Sequence, residues 1–167
     1  RRDFLKSAAT GLVAATGPTI LGATDKAGSK RAIVGNGDHV YEVIHDWGQL
    51  PKHIRYGNTH GVRIDANGFV YIHHTVHATS ESGDSMVVFD PQGKFVKSWG
   101  AEFKGGAHGL HIHREGSEEF LYLCDIRRNV VVKTTLQGKE IFTLGYPDQS
   151  DAYKPDPNGT KPKYTPT

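Results

Sequence analysis

A unit of four short β-rich runs occurs twice in succession, and this repeat constrains the fold more than any other feature of the chain. The first copy comprises His60-Gly61-Val62-Arg63-Ile64, Phe69-Val70-Tyr71-Ile72, Met86-Val87-Val88-Phe89 and Phe95-Val96-Lys97-Ser98-Trp99. The turns Ala66-Asn67-Gly68 and Pro91-Gln92-Gly93-Lys94 join its hairpins, with Gly supplying the positive φ such turns need. The unit returns as His108-Gly109-Leu110-His111-Ile112, Phe120-Leu121-Tyr122-Leu123 and Val130-Val131-Val132-Lys133, then Gln137-Gly138-Lys139 followed by Leu144-Gly145. The offset is 48 at the His-Gly pair (108 − 60) and 45 at the Gln-Gly-Lys turn (137 − 92). Four strands at this period predict β-propeller blades. Two unrelated meanders sharing turn chemistry are the alternative, and the matched order of four separate features weighs against it.

The fold class expected is therefore all-β: a partial propeller of about two full four-stranded blades plus fragments of neighbours. Val40-Tyr41-Glu42-Val43-Ile44 and Asp46-Trp47 read as a stray strand before the first full blade. The stretch from Tyr146 to Thr167, rich in Pro, Asp, Asn and Lys, reads as an inter-blade loop leading to a further blade. Propellers close with about 4–8 blades, so a chain truncated at both ends is expected, with open sheet edges that favour aggregation.

The N-terminus carries a different message. Arg1-Arg2-Asp3-Phe4-Leu5-Lys6 precedes a soft apolar stretch from Ala8 to Ala23. Paired arginines before a weakly hydrophobic Gly/Ala/Thr-rich run form the pattern of a twin-arginine export signal, a route that carries folded proteins. An ordinary exposed basic N-terminus is the plainer reading. The run is too short and too rich in Gly and Thr for a comfortable span, which needs about 20 apolar residues, and Pro18 breaks it as a helix. Leu21-Gly22-Ala23 is a plausible cleavage site. The expected organisation is a helical or disordered signal at 1–23, a linker at 24–38, propeller blades at 39–145 and the inter-blade loop at 146–167. The address is periplasmic or extracellular, with no stable membrane insertion after cleavage.

Without residues 1–23 the chain has 17 basic side chains (20 − 3) and 17 acidic ones (18 − 1). That balance gives no footing for a nucleic-acid partner. Cys124 is the single cysteine, so an intrachain disulfide is excluded, and its place in a strand-like run reads as a buried structural thiol. Neither a Gly-x-Ser-x-Gly elbow, a His-Glu-x-x-His pair, a Cys-x-x-Cys pair nor a phosphate loop is present. Gly35-Asn36-Gly37 begins like a dinucleotide fingerprint, but Val40 stands where the third glycine belongs. Asp65 and Asp125 read as turn and strand-end residues.

Histidine is the anomaly. All ten follow the signal, and seven lie between His60 and His113. Imidazole is the commonest metal ligand. In a propeller, equivalent positions of successive blades ring the axis. His60 and His108, each just before an innermost strand, are thereby predicted to meet at one mouth of the channel as candidate metal ligands, His60 the weaker of the two. Strand capping is the structural alternative. His111 and His113 alternate with Leu110 and Ile112 and share a strand face. They could chelate, but inter-blade packing or solvent is the expected role. His73, His74 and His77 follow a strand end and read as a solvated loop, with lining of the channel mouth as the alternative.

His108-Gly109-Leu110, Leu121-Tyr122-Leu123-Cys124-Asp125 and the Gly-Lys turns followed by Trp99-Gly100 resemble NHL-repeat six-bladed propellers. More narrowly, Val40 to Thr167 is similar to the N-terminal half of the propeller of peptidyl-α-hydroxyglycine α-amidating lyases and their bacterial relatives. The resemblance implies that His108 is a zinc ligand, and that the backbone carbonyls of Leu110 and Val62 hold a structural calcium. It also marks departures. Ala107 replaces the family's proline, and the family's catalytic arginine would fall near His74 or Thr75. Its other zinc histidines and its active-site tyrosine would lie beyond Thr167.

Two functions follow as expectations. One is an exported metal-binding propeller with lyase-like chemistry. Zinc would act as a Lewis acid on a substrate α-hydroxyl, and C–N cleavage of a small-molecule or peptide substrate would give an amide and glyoxylate. No catalytic residue is assigned within this chain. The other is a non-catalytic scaffold that presents its loops to a peptide, glycan or protein partner.

Overall fold

The computed structural model describes residues 32–145 and Pro147. The export motif of Arg1 and Arg2, the cleavage site and nearly all of the expected inter-blade loop lie outside the described residues. Two compact units divide the chain at Trp47 and Gly48.

The first unit contributes one hairpin, β1 (Ile33–Asn36) and β2 (His39–Glu42), turning through Gly37 and Asp38. The hairpin starts inside the stretch read as linker. Val43 N–H closes its open end on the Ala32 carbonyl at 2.7 Å.

The second unit is two antiparallel four-stranded meanders. Sheet one runs in the order β3 (Thr59–Ile64), β4 (Val70–His74), β5 (Met86–Phe89), β6 (Phe95–Trp99). Sheet two runs β7 (Ala107–Glu115), β8 (Glu118–Asp125), β9 (Val130–Thr135), β10 (Glu140–Leu144). A single 3-10 turn, Ala101–Phe103, links them, and no α-helix occurs among the described residues. Described helices long and apolar enough to cross a membrane are likewise absent.

Turn chemistry sets the meanders. Asp65 Oδ1 accepts the N–H groups of Asn67 and Phe69, each at 2.9 Å. Asp90 Oδ1 does the same for Gln92 and Lys94. The following glycines, Gly68 and Gly93, take φ of 84° and 82°, which a side chain tolerates poorly. Asp125 Oδ1 accepts the N–H groups of Arg127 and Arg128, and Arg128 Nε donates to its other oxygen at 2.6 Å.

The two sheets are superposable in register. In sheet one Arg63, Tyr71, Val88 and Lys97 lie side by side across the strands. In sheet two the row is His111, Tyr122, Lys133 and Phe142. Even the irregularity where the last strand joins recurs, between Val88 and Phe89 and between Glu140 and Phe142. The registers match Met86 to Val131, one residue further than the sequence alignment to Val130. The offset on the third strand is therefore 45, the same as at the following turn.

The core lies between the sheets. Tyr71, Met86 and Val88 from sheet one meet Leu110, Leu121, Leu123 and Val132 from sheet two, with Phe103 and Ala107 closing one end. Alternation explains this division, because residues two apart share a face. The two innermost strands, β3 and β7, approach so closely that a Cβ on Gly61 would lie 2.5 Å from Leu110 Cβ. Only glycine permits that approach.

Candidate functional site

The site is built at the end of the sheets where β3 and β7 begin. Each innermost strand is irregular there. Pairing to β4 slips between Thr59 and Gly61, and pairing to β8 slips between Ala107 and Leu110. His60 and His108 are the residues at these bulges. A bulge re-aims the side chain it carries, and these two aim at each other. Their rings stack with centroids 4.6 Å apart and planes 27° from parallel. Both residues are exposed. The sequence expectation that equivalent positions converge therefore has a geometric counterpart.

Two imidazoles fit part of a zinc site. Catalytic zinc takes three protein ligands and keeps one position open. Among the described residues no group of three His, Cys, Asp or Glu side chains is arranged to hold a metal. Near-parallel rings also direct their nitrogen lone pairs side by side rather than at one point. Rotation of either exposed ring would make them converge. The calcium expectation meets an occupied acceptor: the Val62 carbonyl receives Arg63 Nη1 at 2.7 Å. A cation there would compete with the guanidinium. Leu110 is buried between the sheets, whereas Val62 is half-exposed.

His73 and His74 depart from the loop reading. They are the last residues of β4, and both are fully buried. His73 packs its ring edge-on to Phe103 at 5.6 Å, and neither ring nitrogen has a hydrogen-bond partner. Burial holds its pKa down at about 4, only partly offset by the Gly109 backbone, which lies near without completing a bond. His74 faces the opposite side of the strand. Its Nδ1 accepts Val76 N–H at 3.1 Å, which fixes the neutral tautomer with the proton on Nε2. Burial lowers its pKa to about 4 as well, against the pull of Asp84. Tyr56 meets the His74 ring edge-on at 4.8 Å, and its hydroxyl, buried without a partner, is pushed up to about 12. Val76, which serves His74, takes φ of 69°, a strained state for a β-branched residue. His77 stands on the exposed loop as expected, its Nδ1 held 2.9 Å from Thr79 Oγ1.

His111 and His113 do share a face, exposed and loosely stacked at 6.2 Å. His113 stands edge-on to Tyr122. Beside them Lys133 lies over the Phe120 ring at 4.2 Å and pairs with Glu115 at 2.6 Å. Sequence reasoning missed this cluster, since its members come from three strands. Cys124 is half-buried rather than buried, and it borders a shallow pocket with Ile126, Val131 and Leu144.

Searches of protein families, curated proteins and solved structures find no match to this chain.

Proposed function

We propose that this chain is part of an exported NHL-like β-propeller that binds a divalent transition metal at one mouth of its channel, through His108 and His60. One observation carries the reading: two imidazoles at repeat-equivalent positions, on two separate sheets, stack at 4.6 Å. Neighbouring sheets related by a rotation bring equivalent residues together in this way. The matched strand registers and matched bulges support the repeat itself. Zinc is the metal proposed, with its remaining ligands from outside the described residues; bound, it would supply Lewis-acid chemistry. A calcium at the Leu110 and Val62 carbonyls belongs to the same reading, with Arg63 as its competitor.

The second reading is a binding or scaffold propeller without catalysis, for a peptide, glycan or protein partner. A specific observation favours it over a lyase. The family's arginine would fall near His74 or Thr75; neither is an arginine, and His74 is a buried neutral imidazole.

Zinc titration of the chain by calorimetry, beside His60→Ala and His108→Ala, tests the metal site. A 1:1 site weakened tenfold or more by each substitution is expected. Zinc uptake unchanged in both variants overturns it. Chelator-sensitive glyoxylate release from a peptidyl-hydroxyglycine separates the enzyme from the scaffold.

A further inference from the structure

The structure assigns to the loop between β4 and β5 the role of an acid-released lid, latched by the hydrogen bond from Val76 N–H to the neutral His74 ring. Neither His60 nor His108 takes part in the latch.

Residues 75–85 leave the end of β4 where its partner β3 begins, beside the segment that leads into β3. Loop and segment clasp each other through their backbones. Thr75 N–H donates to the Asn58 carbonyl at 3.0 Å, and Asn58 N–H donates to Thr75 Oγ1 at 2.9 Å. His77 N–H donates to the Arg55 carbonyl, and Arg55 N–H to Ser80 Oγ. Glu81 and Ser82 both donate to the His53 carbonyl. Val76 is buried within this clasp, but its N–H turns away from the segment to His74 Nδ1. The closed loop also carries forces that oppose closure. Val76 takes φ of 69°, which a β-branched side chain tolerates poorly. His74 Nε2 and the Tyr56 hydroxyl are buried without partners, and water would satisfy both once the loop lifts.

The bond to His74 needs a neutral ring. An imidazolium has two donors and no acceptor, so a proton on Nδ1 breaks the latch and sets one N–H against another. The titratable groups facing the ring are Tyr56 from the leading segment and Asp84 from the loop. Tyr56 stays neutral, its hydroxyl pushed up by burial to about 12. Asp84 accepts Ser98 Oγ at 2.6 Å and only partly offsets the burial that lowers the His74 pKa to about 4. Thr59 on β3 and Ser85 before β5 flank His74 without charge. His73, on the other face of β4, is held neutral by its own burial. In water His74 returns to its ordinary value of 6.5. Opening therefore takes up a proton, and the closed form loses ground as pH falls from 6.5 towards 4. Lifting the loop bares Tyr56 and His74 at the end of the sheets where His60 and His108 meet.

Amide hydrogen exchange of the whole chain, read by NMR at pH 7.5 and 4.5 in buffer containing a chelator and normalised to intrinsic rates, tests the lid. Protection of the Thr75, Val76, His77, Glu81 and Ser82 amides is expected to fall about 50-fold between the two pH values. It should stay below that of Leu121, Leu123 and Val132 in the core. His74→Asn offers Oδ1 to the same N–H two residues on and does not titrate; its loop protection is expected to change by less than about threefold. His74→Leu removes the acceptor and is expected to give low loop protection at both pH values. A circular-dichroism melt confirms that each variant folds, and either one alone suffices for the comparison. Loop protection unchanged with pH in the native chain, a variant as pH-sensitive as the native chain, or loop amides as protected as core amides at pH 4.5 overturns the inference. The last result would mean that the loop opens only with the whole fold. With the metal chelated, failure here leaves the zinc reading untouched.

Discussion

Sheet one and sheet two are nearly the same object in different surroundings. In sheet one β5 is buried at all four positions, and β6 is mostly half-buried. In sheet two the equivalent β10 is exposed along its whole length. Backbone pairing, turns and bulges agree, so local sequence suffices to make each meander. What differs is cover. Sheet one has sheet two on one face and its own leading segment on the other, while among the described residues sheet two is packed against another sheet on a single face. The repeat thus separates two contributions that are usually entangled: the four-stranded ladder itself, and the burial of its faces.

The sharpest way to break the comparison is to cut the same side chain from a covered and an open position. Leu123 is fully buried and Leu144 is 58% exposed. Leu123→Ala should cost about 2–5 kcal/mol, the range for a leucine removed from a packed core. Leu144→Ala should cost less than about 0.5 kcal/mol, the usual range for a surface change. Urea unfolding of both variants measures the difference. Equal losses would mean that the outer face of sheet two is covered as fully as the core.

The second test uses a position where the sheets carry different chemistry. His73 is buried between the sheets, and Cys124 is its equivalent on the open face. Burial lowers the His73 pKa from 6.5 to about 4. The unfolded chain therefore binds more protons than the folded one between these values. Stability from this group is fully present above pH 6.5 and is lost as pH falls towards 4. The amount is roughly 3 kcal/mol, from about 1.4 kcal/mol per pH unit. His74 acts in the same direction. Urea midpoints at pH 7.5 and 4.5 should fall further for the native chain than for His73→Leu. Identical falls would remove His73 as the source of acid sensitivity.

Much of this architecture was legible in the sequence, and the parts that were not share a cause. The strands from Val62 to Trp99 and from Leu110 to Leu123 could be read because β-branched runs end at Asn-Gly and Gln-Gly turns. The convergence of His60 and His108 followed from the repeat alone. The third strand was aligned one residue short, since Val130, Val131 and Val132 are identical side chains and only hydrogen bonding distinguishes them. His73 and His74 read as loop because Ile72 ends the apolar run. Their burial depends on sheet two covering one ring and on the Gly48–Asn58 segment covering the other. Neither event leaves a local mark. The strained Val76 and the Lys133 cluster are invisible for the same reason: each arises from residues brought together only by the fold.

A third test addresses the contact that joins the sheets. Gly61→Ala places a methyl group 2.5 Å from Leu110 Cβ, within backbone that cannot yield without separating β3 from β7. Overpacking of this kind costs about 1–3 kcal/mol. The same shift should separate the His60 and His108 rings, anchored one residue from Gly61 and two residues from Leu110. Loss of stability with zinc affinity retained would mean that the stacked imidazoles do not depend on the close approach.

The smallest expected effect sharpens the comparison most finely, because it concerns two copies of one turn. In sheet one, Asp90 accepts the N–H groups of Gln92 and Lys94 at 2.9 Å. In sheet two, Thr135 does the equivalent work for Gln137 and Lys139, at 3.3 and 3.2 Å. A carboxylate is the stronger acceptor, and hydrogen bonds to charged groups are worth more than neutral ones. Asp90→Ala should therefore cost about 1 kcal/mol and Thr135→Ala about 0.5 kcal/mol, both reduced by solvent at the turn. Thr135→Asp should raise stability by a few tenths of a kcal/mol, because it installs the first turn's acceptor in the second. If it destabilises instead, the longer bonds at Thr135 reflect a backbone that has already diverged, and the turns are alike in sequence only.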